Sequence, residues 1–195
     1  ILGEEDNLNR DAFVYAFVSK LKNEAPLLDI ADPQAMIQQK MDAEKTAKEA
    51  AETEALKAQY ADKIAEGRAF FDANKAKPNV VSLPSGLQYV IEKKGNGVVP
   101  KINEKVTVHY KGTLLDGTVF DSSYDRGEPT EFSVGQLIKG FNEALMIMPG
   151  GSKWTIYIPY DLAYGAVDRG LIKPFSDLIF EIELIKVGEE PESAE

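Results

Sequence analysis

Four stretches, met in order along the chain, carry the residues that could do chemistry. They are Val108-His109-Tyr110-Lys111-Gly112, Gly117-Thr118-Val119-Phe120-Asp121-Ser122-Ser123, Leu162-Ala163-Tyr164-Gly165 and Leu178-Ile179-Phe180-Glu181-Ile182-Glu183-Leu184. Their aromatic and apolar members suit the lining of one small pocket with few polar handles. Other kinds of chemistry lack their parts. With no cysteine and a single histidine, any reaction must proceed without a Cys–His or Ser–His relay and without thiolate-bound zinc. His109 alternates with Val108 and Tyr110 and therefore faces away from them, the place of a solvated or hydrogen-bonded structural histidine. Glu181 and Glu183 share the polar face of their strand, which is solvation rather than acid–base work. Pro149-Gly150-Gly151 lacks the spacing of a nucleotide-binding loop. Neither a metal nor a cofactor is expected.

Bringing these stretches together requires a sheet. Val106, Val108 and Tyr110 alternate with Thr107, His109 and Lys111; Trp154, Ile156 and Ile158 alternate with Thr155 and Tyr157; Leu178, Phe180, Ile182 and Leu184 alternate with Glu181 and Glu183. Period-two alternation with one polar face predicts an antiparallel sheet. Only Gly140 to Met148 reads as helix here, with Phe141, Ala144, Leu145 and Met148 on one face to pack across the sheet. The expected fold class is α+β, a bent antiparallel sheet wrapped around one short helix, preceded by an all-α region.

That all-α region has two parts. Phe13, Phe17 and Leu21 recur at four-residue spacing with Val14 and Val18 alongside, which predicts an amphipathic helix ended by Pro26. Leu27-Leu28-Asp29-Ile30 follows as an apolar connector. Asp32-Pro33 then reads as an N-cap and first helical residue, and the helical pattern persists to about Asn74, with Pro78 as the stop. A helix of about 42 residues would span roughly 63 Å. Met36, Ile37 and Met41 are bulky at its start and Leu56, Tyr60, Ile64 and Phe71 form a stripe near its end. Between them, Asp42 to Glu54 holds only Ala, Thr, Lys, Glu and Asp, the texture of a solvent-bridging spacer; a coiled coil would need large apolar residues through the middle. The expected organisation is therefore 1–31 helical, 32–77 a long spacer helix, 78–188 the sheet domain, and 189–195 an acidic, disordered tail.

At 195 residues and 44% hydrophobic, the chain can bury a real core. A net charge of −10 argues against nucleic acid as a partner, since phosphate binding needs a basic surface. No apolar run of about 18 residues is present to cross a bilayer as a helix. The sequence begins at Ile1 without an initiating methionine or a basic-then-apolar leader, the start expected of either a processed secretory chain or a trimmed piece.

Taken together, the four stretches resemble the FKBP-type peptidyl-prolyl isomerases over essentially all of Ser85 to Val187. The resemblance implies Tyr110, Phe120 and Phe180 as pocket walls, Phe141 as the floor and Asp121 as the carboxylate at the rim. Arg126 is implied as partner of Asp121 or Tyr110, and Asp121 either meets the twisted amide carbonyl or orders those two residues. Leu137 and Ile138 lead into the short helix, the backbone N–H of Ile138 and the Tyr164 hydroxyl are the implied donors to substrate carbonyls, Ala163 lies beside Tyr164, and Leu171 and Ile172 belong to a flap-like loop. The implied activity is cis–trans isomerisation of X–Pro bonds in proline-containing segments of unfolded proteins, with no covalent intermediate and no cofactor. Two departures stand out: Phe141 where family members often have tryptophan, and a charged flap at Val167-Asp168-Arg169-Gly170. Both bear on substrate preference and on binding of macrolide inhibitors.

The helical region followed by this domain looks like the macrophage infectivity potentiator and FkpA-like group of bacterial enzymes. That likeness implies a homodimer through the N-terminal helices, a role in folding exported proteins, and a periplasmic or outer-membrane-associated location. Phe13, Val14, Phe17, Val18, Leu21, Leu27, Leu28 and Ile30 supply an apolar surface for such a dimer. A non-catalytic chaperone or adaptor that binds proline-containing segments is the alternative, and the pocket alone does not separate the two.

Overall fold

The computed structural model describes residues 33–188 together with Val14 and Val18. The remaining residues of the predicted first helix and its connector, the N-cap Asp32 and the acidic tail lie outside the described residues. Two compact units divide the chain, Ile1–Thr53 and Glu54–Glu195.

In the first unit, Val14 and Val18 are helical and exposed. Helix α1 runs from Pro33 to Gln59, with proline as its first residue, where the missing N–H costs nothing. From residue 38 to residue 52 every side chain is exposed. This stretch is held by local pairs such as Lys45–Glu49 and Lys48–Glu52, each at 3.9 Å, with Thr46 and Thr53 hydroxyls donating to the carbonyls of Asp42 and Glu49. Exposed pairs of this kind each contribute only about 0.2–0.5 kcal/mol. The polar middle is thus a solvated face, as its composition predicts.

The second unit contains helix α2, Ala61–Lys75, and the sheet. Just ahead of α2, within this unit, the N–H of Tyr60 donates to Leu56 O at 3.1 Å and that of Ile64 to Tyr60 O at 3.0 Å, while Tyr60 itself departs to φ −104°, ψ 21°. The half-buried and buried positions of α2, Lys63, Ile64, Gly67, Phe70, Phe71 and Asn74, fall at three- and four-residue spacing along one side. Asn74 donates to Gln88 Oε1 at 2.9 Å and Gln88 donates back to Phe71 O at 2.9 Å. The Phe70 ring lies 5.8 Å from Tyr157. The end of the helix therefore packs with the sheet domain, and the compact unit starts well before residue 78.

The sheet comprises β1 (Val81–Ser82), β2 (Gln88–Lys93), β3 (Lys105–Leu114), β4 (Val119–Ser122), β5 (Thr130–Ser133), β6 (Lys153–Ile158) and β7 (Leu178–Val187). All pairings are antiparallel, in the order β1-β2-β6-β7-β3-β4, with β5 sharing the edge of β3. β3 is long enough to pair β5 through residues 105–108 and β4 through residues 111–113. Its register with β7 sets Tyr110 opposite Ile182 and Gly112 opposite Phe180. Strict alternation buries Val106, Val108 and Tyr110 on β3, Trp154, Ile156 and Ile158 on β6, and Leu178, Phe180, Ile182 and Leu184 on β7. Alternation marks only β3, β6 and β7 of these strands, and the sequence reading also lacks a helical turn. Ser123–Arg126 forms a single helical turn, α3, directly after β4. Against the buried face of the sheet packs the short helix α4, Lys139–Leu145, which contributes Phe141, Ala144 and Leu145, with Met148 just beyond.

Candidate active site

Between α4 and the sheet lies a cavity of about 270 Å³. β3 supplies Tyr110, β4 supplies Phe120 and Asp121, and β7 supplies Phe180; Phe141 enters from α4, Ile138 and Leu137 from the segment before it, and Tyr164 from the loop after β6. Eight of the twelve residues singled out from sequence thus meet in one place. Phe180 stands edge-on to Phe141 at 5.1 Å and to Phe120 at 5.5 Å, and Tyr110 stands edge-on to Phe141 at 6.3 Å. Edge-to-face rings at these distances are the favoured aromatic geometry and hold each other rigid. Gly112 permits it. A Cβ there would meet the Phe120 ring at 2.5 Å and the Phe180 ring at 2.8 Å, so the two rings close over bare backbone.

Among the described residues Asp121 is the sole carboxylate lining the cavity, and both of its oxygens are engaged. Tyr110 Oη donates to Oδ2 at 2.5 Å and Arg126 Nη1 to Oδ1 at 2.5 Å. Arg126 Nη2 also donates to the Tyr110 hydroxyl and to Thr130 Oγ1, each at 3.0 Å. Burial pushes the Asp121 carboxyl up, but the hydrogen bonds from Tyr110 and Arg126 and the guanidinium charge outweigh it and hold the group below its ordinary value. For Tyr110, burial and the bond to Asp121 push the phenol up. Asp121 is therefore an ion whose lone pairs are spent on orienting Tyr110 and Arg126.

The missed turn α3 explains how Arg126 reaches this position. Ser122 accepts the Asp125 N–H at 3.2 Å as N-cap, and Gly127 at φ +80° closes the turn. Ser123, fully buried, accepts the Tyr110 N–H at 2.8 Å and lies 2.9 Å from His109 Nδ1, tying the turn to β3. The His109 ring stacks on Tyr124 at 4.6 Å, on the sheet face away from the cavity. Ser122, Ser123 and Gly127 at this spacing are a capping signature that was legible in the sequence.

At the head of α4, Ile138 is the N-cap with φ −59° and ψ 151°, and no side-chain cap. Among the described residues its N–H has no acceptor, which leaves a donor where Ile138 lines the cavity. The wall leading to it is fixed by Asn142: the Gly135 N–H donates to Oδ1 at 2.8 Å, and Nδ2 donates to Leu137 O at 2.7 Å. Sequence reading missed Asn142, and also Phe132 and Gln136, which line the cavity. A polar residue amid the apolar positions of a short helix was the signal for Asn142. For Phe132 it was alternation along a strand of only four residues.

Four of the residues singled out stand elsewhere. Arg126 lies behind the wall, bonded to Asp121 and Tyr110. Ala163 is half-buried against the core next to Tyr164. Ile172 is 6% exposed within the core, and Leu171 is 61% exposed on the flap. A bridge between Arg169 and Ile172 makes the flap a tight turn that sends these neighbours in opposite directions. Asp168 accepts the Gly170 N–H at 2.8 Å and pairs with Lys173 at 3.2 Å, while the Arg169 guanidinium lies 5.4 Å over the Tyr164 ring.

Among the described residues no serine, cysteine, lysine or histidine lines the cavity. The cavity is thus an aromatic box with a phenol oriented by Asp121 and, at the head of α4, a backbone N–H without an acceptor among the described residues. The family model for FKBP-type peptidyl-prolyl cis-trans isomerase matches residues 96–185, and the model for the domain amino terminal to that isomerase matches residues 2–91. The outer membrane protein MIP of Legionella longbeachae is 53% identical over 124 residues, 63% of this chain and 53% of that protein. A peptidyl-prolyl cis-trans isomerase from Pseudomonas syringae, solved as a crystal structure, is 40% identical with a TM-score of 0.62, covering 67% of this chain and 96% of its own. The crystal structure of FkpA from Escherichia coli is 31% identical with a TM-score of 0.66 and covers 98% of this chain and 85% of its own. The chain belongs to the FKBP-type peptidyl-prolyl cis-trans isomerase family. Its aligned stretch spans 53–63% of the length of the first four curated relatives.

Proposed function

We propose that the chain catalyses cis–trans isomerisation of X–Pro peptide bonds in unfolded or partly folded proteins. The observation that carries this reading is the 270 Å³ aromatic cavity whose one carboxylate is already committed to Tyr110 and Arg126. Amide rotation is opposed by C–N resonance, a barrier of about 18–20 kcal/mol. The planar amide is more charge-separated than the twisted one, so a site poor in water and in free charge favours the twisted state. In this reading the proline ring rests on Phe141 between Tyr110, Phe120 and Phe180. The Ile138 N–H and the Tyr164 hydroxyl hold the flanking carbonyls, and Asp121 keeps Tyr110 in place. No covalent step is needed.

Membership of the family, and the likeness to FkpA along nearly the whole chain, support a homodimer formed through the N-terminal helices. Val14 and Val18, four residues apart and both exposed, are consistent with an apolar face that a second copy would cover. The relative named as an outer membrane protein supports an exported chain acting in the bacterial envelope. Among the described residues no helix is long and apolar enough to cross a membrane.

The direct test is turnover of a cis-prolyl tetrapeptide at low temperature by the full chain and by Tyr164→Phe. Acceleration by the full chain is expected, with a loss of about tenfold in the variant, the scale of one hydrogen bond to a developing state. A folded chain that accelerates nothing would leave a binder of proline-containing segments instead.

A further inference from the structure

Phe175 is the point of departure. It has φ +56°, a backbone region that side-chain-bearing residues rarely adopt, yet it is only 2% exposed. Such a residue persists where its surroundings hold it, and here two rings do so. Tyr60, at the junction of α1 and α2, lies 6.0 Å away, and Tyr160, at the base of the flap, stands edge-on at 5.3 Å. The Phe175 N–H donates to Gly165 O at 2.8 Å, and the Gly165 N–H donates to Tyr160 O at 2.8 Å. Gly165 follows Tyr164, the residue through which the flap enters the cavity. A second helix contact lands on the same loop. Gly67 leaves room for the Asp177 carboxylate, with which a Cβ would overlap, and Asp177 Oδ1 accepts the Tyr160 N–H at 2.8 Å. The helical segment from Tyr60 through α2 thus touches the loop 175–177 at two places, and that loop holds both ends of the segment 160–165.

We propose that Tyr60 is a positioning residue for the cavity, acting through Phe175 on the flap that carries Tyr164. The helix then belongs to the isomerase scaffold itself. The catalytic consequence rests on the isomerase reading above; the mechanical coupling does not.

The experiment uses the full chain and the variants Tyr60→Ala, Tyr60→Phe and Phe175→Gly, the last keeping positive φ while removing the ring. Amide hydrogen exchange of Gly165 and Phe175 is compared with that of β6 and β7, alongside KM and kcat for a prolyl peptide. Tyr60→Ala is expected to speed flap exchange by about 2- to 12-fold over the strands, the scale of one aromatic contact, and to raise KM by a similar factor with kcat less changed. Tyr60→Phe should restore both, and Tyr60→Ala combined with Phe175→Gly should add little to Phe175→Gly alone. Unchanged flap exchange in folded Tyr60→Ala overturns the proposal, as does an increase spread equally over β6 and β7. If the wild-type chain shows no turnover, the isomerase reading fails and the exchange comparison alone decides the coupling.

Discussion

The substitution Asp177→Asn should stabilise the protein above about pH 6 and do little at pH 4. Asp177 is 5% exposed, wedged against Gly67 of α2. Burial raises its pKa from 3.8 to about 6; the hydrogen bond from the Tyr160 N–H opposes the rise, the charge of Asp161 adds to it, and Lys63 weakly offsets it. Because the folded value lies above the unfolded one, the folded state holds the extra proton between those limits. The protonated carboxyl is tolerated below about pH 4, and stability falls as pH rises towards 6 and stays lower beyond it. At about 1.36 kcal/mol per pH unit the full penalty is about 3 kcal/mol. The amide introduced by the substitution would keep an oxygen for the Tyr160 N–H and never ionise. Urea unfolding followed by Trp154, the single tryptophan and a core residue, reads the sheet domain directly. The midpoint at pH 8 should rise by about 1–3 M at ordinary urea sensitivities, with no comparable gain at pH 4. An equal effect at both pH values, or a loss at pH 8, would refute the argument.

Gly112→Ala should separate Phe120 from Phe180, costing about 1–3 kcal/mol from overpacking and abolishing most turnover, measured by unfolding and peptide kinetics. Asp121→Asn should lower turnover by loosening Tyr110 and Arg126. In the wild type, turnover should stay flat between about pH 5 and 8, since the carboxylate is stabilised below its ordinary value and protonates only as pH falls further. Asn142→Ala strands the Gly135 N–H and the Leu137 carbonyl, so a loss of about 1–3 kcal/mol is expected, with KM rising as the wall at Leu137 and Ile138 relaxes.

The sequence determined the sheet strands that carry Tyr110, Trp154 and Phe180, because a half-buried antiparallel strand writes its inward face at period two. It also determined the polar middle of α1, since a helix with no apolar side has nothing to bury, and the family resemblance carried by its four stretches singled out eight of the residues that line the cavity. What it left undecided depends on contacts between residues far apart in the chain. Phe132 and Gln136 join the lining only because β5 and β4 share one edge of β3. Leu171 and Ile172, adjacent and chemically alike, part company at a tight turn, one exposed and one in the core. Only the tertiary structure seats Phe175 between Tyr60 and Tyr160 and Asp177 against Gly67, bringing helix α2 onto the loop behind the cavity. Local periodicity reports which face of an element is apolar, whereas the partner of that face is set by long-range packing that no window of sequence contains.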